Sequence, residues 1–392
     1  MRIIFHVDVN NAFLSWTALD LLQKGYKKDI RNIPSVIAGD EKARKGIVLA
    51  KSLIAKKYGI VTAEPLYSAR KKCPSLQIFP PNYSFYHEQS KKLYAYLAQY
   101  TPNIEQYSID ECFLDLSGTT LLYGHNYVNL AHKIKDDIKN LYGFTVNIGI
   151  GENKLCAKMA SDFEKPNRVH TLYASEIETK MWPLPVQDLF MLGKSSAKKL
   201  HELGINTIKD LAFTDISLLK RHFKNQAYYF KNAAMGLDDS KVEPKNPKNK
   251  CLSISRTLPY DYIKKEDLEK ILFILTDELA RELRNQKLYT KTIAITYRNY
   301  LFKNYSHQLT LLSATNVTEE IYKQILNLFN NSWHEDPIRN IGIRFSDLKK
   351  SVDKQLSLFD DEVKTSDKVE EVMDDLIRKF GKNSVIRASK KE

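Results

Sequence analysis

The chain has 392 residues, with 60 Lys plus Arg against 47 Asp plus Glu and a formal net charge of +13 at pH 7. That length exceeds one ordinary core and implies several domains, and no segment approaches the ~20 uncharged apolar residues that cross a bilayer, which excludes an integral membrane protein. The positive charge favours a polyanionic partner, of which nucleic acid is the commonest for a cytosolic protein.

The first residues, Met1-Arg2-Ile3-Ile4-Phe5-His6-Val7-Asp8, read straight into a strand over 2–9 with no apolar leader or cleavage site, so a cytoplasmic location is expected. Asp8 ends that otherwise apolar strand, where a buried carboxylate calls for a cationic partner. A helix follows over about 11–24, and the basic stretch 40–100 reads as a small lobe inserted on the sheet. Strands near 104–107 and 112–116 flank Asp110 and Glu111. Adjacent side chains of a regular strand point to opposite faces, so these two carboxylates reach one point only from a hairpin turn. A helix at about 127–142, a strand at 145–151 and a helix at about 154–163 complete an α+β pattern.

Carboxylates meeting on a sheet suit a hard cation such as Mg²⁺, and two such ions would serve in-line phosphoryl displacement. By spacing alone, a turn cap and a solvated hairpin explain Asp8, Asp110 and Glu111 about equally well.

From about 170 to 238 the strand signal gives way to short helical segments separated by glycines, and the proline-containing basic stretch 241–250 reads as a linker. Beyond it come a strand (251–258), helix (266–287), strand (291–299), strand (306–312), helix (318–332) and strand (339–347), a β-α-β-β-α-β order. Leu268, Ile271, Leu272, Leu275, Leu279 and Leu283 give the first of these helices a buried stripe, and Asn316 with Glu319 predicts a capped start for the second. On the strands, Thr292, Ala294, Thr296 and Arg298 alternate with Ile293, Ile295 and Tyr297. One sheet face is therefore apolar, and the other, small, hydroxyl-bearing and basic, is left for a ligand. Residues 350–392 read as a polar tail. Cys73, Cys112, Cys156 and Cys251 form no C-x-x-C pair, which argues against structural zinc and a disulfide framework; they are expected to be reduced and mostly buried.

His6-Val7-Asp8-Val9-Asn10 and Tyr107-Ser108-Ile109-Asp110-Glu111 closely resemble the two active-site motifs of Y-family DNA polymerases, specifically the bacterial DNA polymerase IV-like enzymes. Further matches follow in order: Ala55-Lys56-Lys57-Tyr58-Gly59-Ile60, Gly149-Ile150-Gly151 with Asn153-Lys154, Lys158-Met159-Ala160-Ser161 and Lys165-Pro166-Asn167. The resemblance covers about residues 1–350. It implies a right-hand polymerase with a ferredoxin-like palm (1–25 and 101–168), inserted small fingers (26–100), a helical thumb (169–240), the linker 241–250, a little finger (251–349) and a tail (350–392). It implies two Mg²⁺ ions held by Asp8, Asp110, Glu111 and the backbone carbonyl of Val9, and a steric gate at Phe13 against a ribose 2′-hydroxyl. The triphosphate would be met by Lys165 and Lys56. Where the family usually has a tyrosine and an arginine in the fingers, this chain has Leu53 and Lys56, so these contacts are fewer or shared with Lys51 or Lys57.

Phe190 to Leu200, followed by Leu203-Gly204-Ile205, resembles a helix-hairpin-helix. A glycine hairpin at Gly193 exposes N–H groups to a DNA phosphate, and Lys194 and Lys198 add charge. Ser253, Ser255, Arg298 and Arg344 are candidate contacts to the duplex backbone. Gln355-Leu356-Ser357-Leu358-Phe359 resembles the clamp-binding pentapeptide of bacterial replication proteins, with Gln355, Leu356, Leu358 and Phe359 as its contacts. The expected protein is a monomeric, low-fidelity, template-directed DNA polymerase of translesion synthesis and DNA repair. Its partners would be primer-template DNA, deoxynucleoside triphosphates and a sliding clamp. Two competing readings are a non-catalytic DNA- and clamp-binding relative, favoured by Leu53 and Lys56, and a nucleotidyl cyclase, which explains neither the hairpin nor the clamp peptide.

Overall fold

The computed structural model describes residues 2–124, 126–243, 249–351, 365–381 and 384. The chain divides into two compact units, Met1–Gly39 with Ile47–Asn246, and Asp40–Gly46 with Pro247–Glu392.

The first unit is built on β1 (Ile4–Val9), whose odd and even residues face different ways. Phe5, Val7 and Val9 enter a core shared with Trp16 of α1 (Ala12–Gln23). A small sheet follows, made of β2 (Ser35–Ala38), β3 (Val48–Lys51) and β4 (Gln77–Phe79) in the order β3-β2-β4, with the short helices α2 (Leu53–Lys57) and α3 (Leu66–Lys72). Its own core includes Val36, Val48, Ala55 and Ala69. The next helix, α4 (Tyr83–Leu97), buries Tyr86, Leu93 and Leu97 in the β1 core.

Strands β5 (Ile104–Gln106) and β6 (Glu111–Asp115) form the expected hairpin. After α5 (Thr120–Tyr123) and the amphipathic α6 (Tyr127–Tyr142), β7 (Val146–Gly151) pairs with the free side of β1. Then come α7 (Lys154–Asp162) and β8 (Val169–Leu172), and the sheet order is β5-β6-β1-β7-β8. Residues 169–172, expected to open the helical segment, instead form an edge strand parallel to β7. Four residues are too few to show a period, so the pairing was not legible from the pattern.

The glycines of β7 decide how close α7 comes. A Cβ on Gly149 would stand 2.0 Å from the Ala157 carbonyl oxygen, and one on Gly151 2.7 Å from the Ala157 nitrogen. Their absence lets the helix lie directly against the strand. The rest of the unit is helical: α8 (Lys194–Glu202), α9 (Ile208–Phe213), α10 (Ile216–Phe223) and α11 (Gln226–Ala234), packed around Leu200, Leu211, Leu219 and Phe230.

The second unit follows the expected order: β9 (Cys251–Tyr262), α12 (Lys265–Asn285), β10 (Tyr289–Asn299), β11 (Asn304–Thr315), α13 (Thr318–Ser332) and β12 (Ile338–Lys349). The strands form one antiparallel sheet, β11-β10-β12-β9. Leu268, Leu272, Leu275, Leu279 and Leu283 of α12 pack on Ile293, Ile295, Ile341 and Ile343. The expected cap of α13 does not form: Val317 holds the cap position without a side-chain bond, and Asn316 donates its amide to the Leu288 carbonyl.

Beyond the four-stranded sheet, α14 (Thr365–Phe380) docks on α12. Arg284 grips Asp374 through two nitrogens, at 2.6 and 3.2 Å, and pairs with Glu370 at 3.1 Å, while Arg281 bridges Asp374 and Asp277. The clamp-like peptide 355–359 lies outside the described residues. Cys73, Cys112 and Cys156 are buried, Cys251 is exposed, and all four are free. Among the described residues no helix is long and apolar enough to cross a membrane.

Candidate active site

The antiparallel pairing of β1 with β6 sets Asp8 directly opposite Glu111. Asp110 is the last residue of the turn, and its carbonyl accepts the N–H of Val9 at 3.0 Å, which ties the turn to the end of β1. The turn breaks the alternation between the adjacent carboxylates and leaves Asp110 near enough to feel the charges of Asp8 and Glu111, but among the described residues the ligand atoms that come together are those of His6, Asp8 and Glu111, without Asp110. Asp110 accepts a bond of 2.6 Å from the Ser108 hydroxyl. Burial pushes the Asp110 carboxyl up, and repulsion from Asp8 and Glu111 adds to it against that bond.

Two lysines approach these oxygens. Lys158 Nζ lies 2.9 Å from Glu111, 3.3 Å from Asp8 and 3.3 Å from Asp162, and Lys165 Nζ lies 2.8 Å from Asp8 and 2.8 Å from Asp162. Burial disfavours both ammonium charges, but the carboxylates outweigh it and hold each lysine above the ordinary value. Burial likewise pushes Glu111 up, yet contacts from His6 and Lys158 bring it down to about 2.

His6 is fully buried on the same face of β1 as Asp8, with Nδ1 2.8 Å from the Ser161 hydroxyl and Nε2 3.2 Å from Glu111. The latter approach is close but poorly aligned, and Nε2 makes no proper hydrogen bond. His6, Asp8 and Glu111 each present a ligand atom within 4.8 Å of the others, a donor set that could hold a cation. Neither Lys158 nor His6 was singled out from the sequence. The available signals were the two-residue spacing of His6 from Asp8 on a strand and the place of Lys158 on the helix that the glycines of β7 admit.

Phe13, on the first turn of α1, stacks on Tyr86 with ring centroids 4.8 Å apart. Lys56 lies exposed in the last turn of α2, with no ion pair among the described residues, and Leu53 opens that helix 62 % exposed. The Lys51 carbonyl accepts the Asn11 amide at 2.7 Å, and its ammonium lies 3.1 Å from the Thr62 hydroxyl. Gly193 is the N-cap of α8 and supplies no side-chain cap, with Lys194 and Lys198 exposed on that helix.

In the second unit the strand register aligns polar rows across the face opposite α12. Ser253 pairs with Arg344, which pairs with Ala294; Ser255 with Gly342 and then Thr296; Thr257 with Asn340 and then Arg298. A Cβ on Gly342 would stand 2.6 Å from that of Ser255, so the middle row stays low only with glycine there. Arg298 is steadied by Asn304 at 2.7 Å.

Residues 7–162 match the model of the impB/mucB/samB family, residues 249–358 that of the family's C-terminal domain, and residues 174–205 the IMS family HHH motif. The chain is 46 % identical over 388 residues to DNA polymerase IV of Clostridium acetobutylicum, covering 99 % of this chain and 98 % of that one. It is 33 % identical to DNA polymerase IV of Acetivibrio thermocellus, over 98 % of this chain and 96 % of the relative. Its fold is similar to that of a solved Y-family DNA polymerase chimera, with a TM-score of 0.75 and 23 % identity, covering 89 % of this chain and 100 % of the other.

Proposed function

This chain belongs to the impB/mucB/samB family of Y-family DNA polymerases, which makes it a DNA-directed DNA polymerase, and we propose that it extends a primer 3′-hydroxyl with low fidelity in translesion synthesis and DNA repair. The observation that carries this reading is the placement of Asp8 opposite Glu111, with Asp110 on the adjoining turn.

The site fits divalent cations. Three carboxylates lie at one end of the sheet, one of them raised by burial and by its neighbours, and among the described residues lysine ammonium groups and His6 are what offset them. In this reading Asp8, Asp110, Glu111 and the Val9 carbonyl hold two Mg²⁺ ions. When bound, they would lower the pKa of the primer hydroxyl and stabilise the entering and leaving oxygens. Lys165 turns its charge to the triphosphate, with Lys56 and Lys51 supplying the fingers' share. Phe13, braced by Tyr86, blocks a 2′-hydroxyl.

Names for the regions follow from the family. The five-stranded sheet serves as palm, the three-stranded sheet as fingers, α8–α11 as thumb and the second unit as little finger. The cap of α8 with Lys194 and Lys198, and the polar sheet face with Ser253, Ser255, Arg298 and Arg344, would take DNA phosphates. Residues 355–359 would tether the enzyme to a sliding clamp; their support is their wording and their place between β12 and α14. The protein would work in the cytoplasm.

Primer extension by the purified protein with Mg²⁺ on a matched template tests the proposal. Wild-type extension that disappears in Asp8→Ala and Glu111→Ala is expected. A wild type that binds the primer-template but adds no nucleotide would instead identify a non-catalytic relative.

A further inference from the structure

We propose that His6 is a positioning residue for Glu111: a buried imidazole, keyed by Ser161, that fixes the orientation of a carboxylate on which metal binding depends. The inference rests on the reading of Asp8, Asp110 and Glu111 as metal ligands.

Burying an imidazole costs free energy that an apolar ring would not. His6 is fully buried and packs on Phe113 with ring centroids 4.6 Å apart, a contact that Phe or Leu could make as well. What distinguishes histidine here is its two nitrogens. Nδ1 lies 2.8 Å from Ser161 Oγ, and Nε2 lies 3.2 Å from Glu111 Oε2, an electrostatic contact short of an aligned hydrogen bond.

The Ser161 hydroxyl is 2.8 Å from Nδ1 and 2.8 Å from the Lys158 carbonyl oxygen, and its single hydrogen can serve either. Donation to Nδ1 leaves the ring proton on Nε2, facing a carboxylate that can only accept. The opposite tautomer would set a lone pair against Glu111. The Glu111 carboxylate 3.2 Å away favours the proton on Nε2, and Ser161 completes that form when it donates to Nδ1 in place of the Lys158 carbonyl, as outer partners do for histidines near metals.

Lys158 also reaches Glu111, at 2.9 Å, but it is shared with Asp8 and Asp162. It lies where it competes for the same oxygens as a cation held by Asp8 and Glu111. His6 is anchored in the β1 ladder between Phe113 and Gly149, and a cation at those oxygens need not move it.

The test is titration of the full-length protein with Mn²⁺, following free ion by electron paramagnetic resonance, beside thermal melting. Asp8→Ala should abolish site binding. His6→Phe should stay folded yet bind Mn²⁺ about 10-fold more weakly. His6→Gln, whose amide offers an N–H near the place of Nε2, should recover most of that loss, and Ser161→Ala should fall between. Unchanged affinity in a folded His6→Phe overturns the proposal; should that variant not fold, the same outcome in both His6→Gln and Ser161→Ala does. Nitrogen coupling from His6 to bound Mn²⁺ would also overturn it, by making the imidazole a direct ligand. If the wild type binds Mn²⁺ no better than Asp8→Ala, the metal reading itself fails and takes the inference with it.

Discussion

The side-chain carbonyl of Asn10 accepts the backbone N–H of Asn167 at 2.8 Å, so the segment that carries Asp8 holds the turn that carries Lys165. The Asn10 amide donates to Asn147 at 3.0 Å, and the Asn147 amide donates to the carbonyls of Ser161 at 2.9 Å and Glu164 at 2.7 Å. Both asparagines are buried. This chain of amides delivers Lys165 to Asp8, and Asn147→Ala would leave several polar groups unpaired. It should cost about 3 kcal/mol of stability and raise the KM for nucleotide on the order of 10-fold by displacing Lys165. Urea unfolding and steady-state kinetics check the two effects; a KM unchanged in a destabilised variant would show that Lys165 does not depend on this network.

The depressed carboxyl of Glu111 predicts a pH dependence. Its folded value, about 2, lies below its ordinary 4.5, so the stabilisation is present above the ordinary value and is lost as pH falls toward about 2. The contribution is at most about 3 kcal/mol. Asp110, raised by burial, works in the opposite sense. Comparison with Glu111→Gln isolates the Glu111 contribution: the stability gap between wild type and variant should hold above about pH 5 and shrink as the pH falls to about 3, and a constant gap would contradict the assignment.

Phe13→Ala should admit ribonucleotides, with sugar discrimination falling on the order of 100-fold. Because Phe13 stacks on Tyr86, the variant should also melt lower. Competition between ribo- and deoxyribonucleotides at one template base reads the outcome, and retained discrimination in a folded variant would reject the gate.

Arg298 and Arg344 are expected to contact phosphates. Replacing each by Ala should weaken DNA binding to a similar degree on unrelated sequences and reduce the slope of log affinity against log salt by about 1. Fluorescence anisotropy across a salt series measures this. A loss confined to one sequence would mean base recognition instead.

Deletion of 355–359 should leave synthesis on a bare primer-template unchanged and remove stimulation by a loaded clamp. Equal loss with and without the clamp would count against a tether.

Much of this arrangement was legible in the residues. The alternation of β10 predicted a polar sheet face, the leucine spacing predicted the buried side of α12, and the adjacency of Asp110 and Glu111 required a turn between two strands. Each of these rests on local periodicity. Elements whose partners lie far away in sequence were not legible. Residues 169–172 become a strand only because β7 offers an open edge, Asn316 does not cap α13, and α14 is held by Arg281 and Arg284, about 90 residues upstream.

By itself the sequence marked the three carboxylates as candidates, fixed the β-α-β-β-α-β order of the second unit and pointed to the family, because short motifs and hydrophobic periods are local properties of a chain. Only the tertiary structure decided what surrounds those carboxylates. Lys158, 47 residues from Glu111, reaches it because Gly149 and Gly151 let α7 lie against β7. His6 meets Ser161 for the same reason, while the pairing of β1 with β6 brings it to Glu111; both contacts are set by packing and pairing rather than by any pattern along the chain.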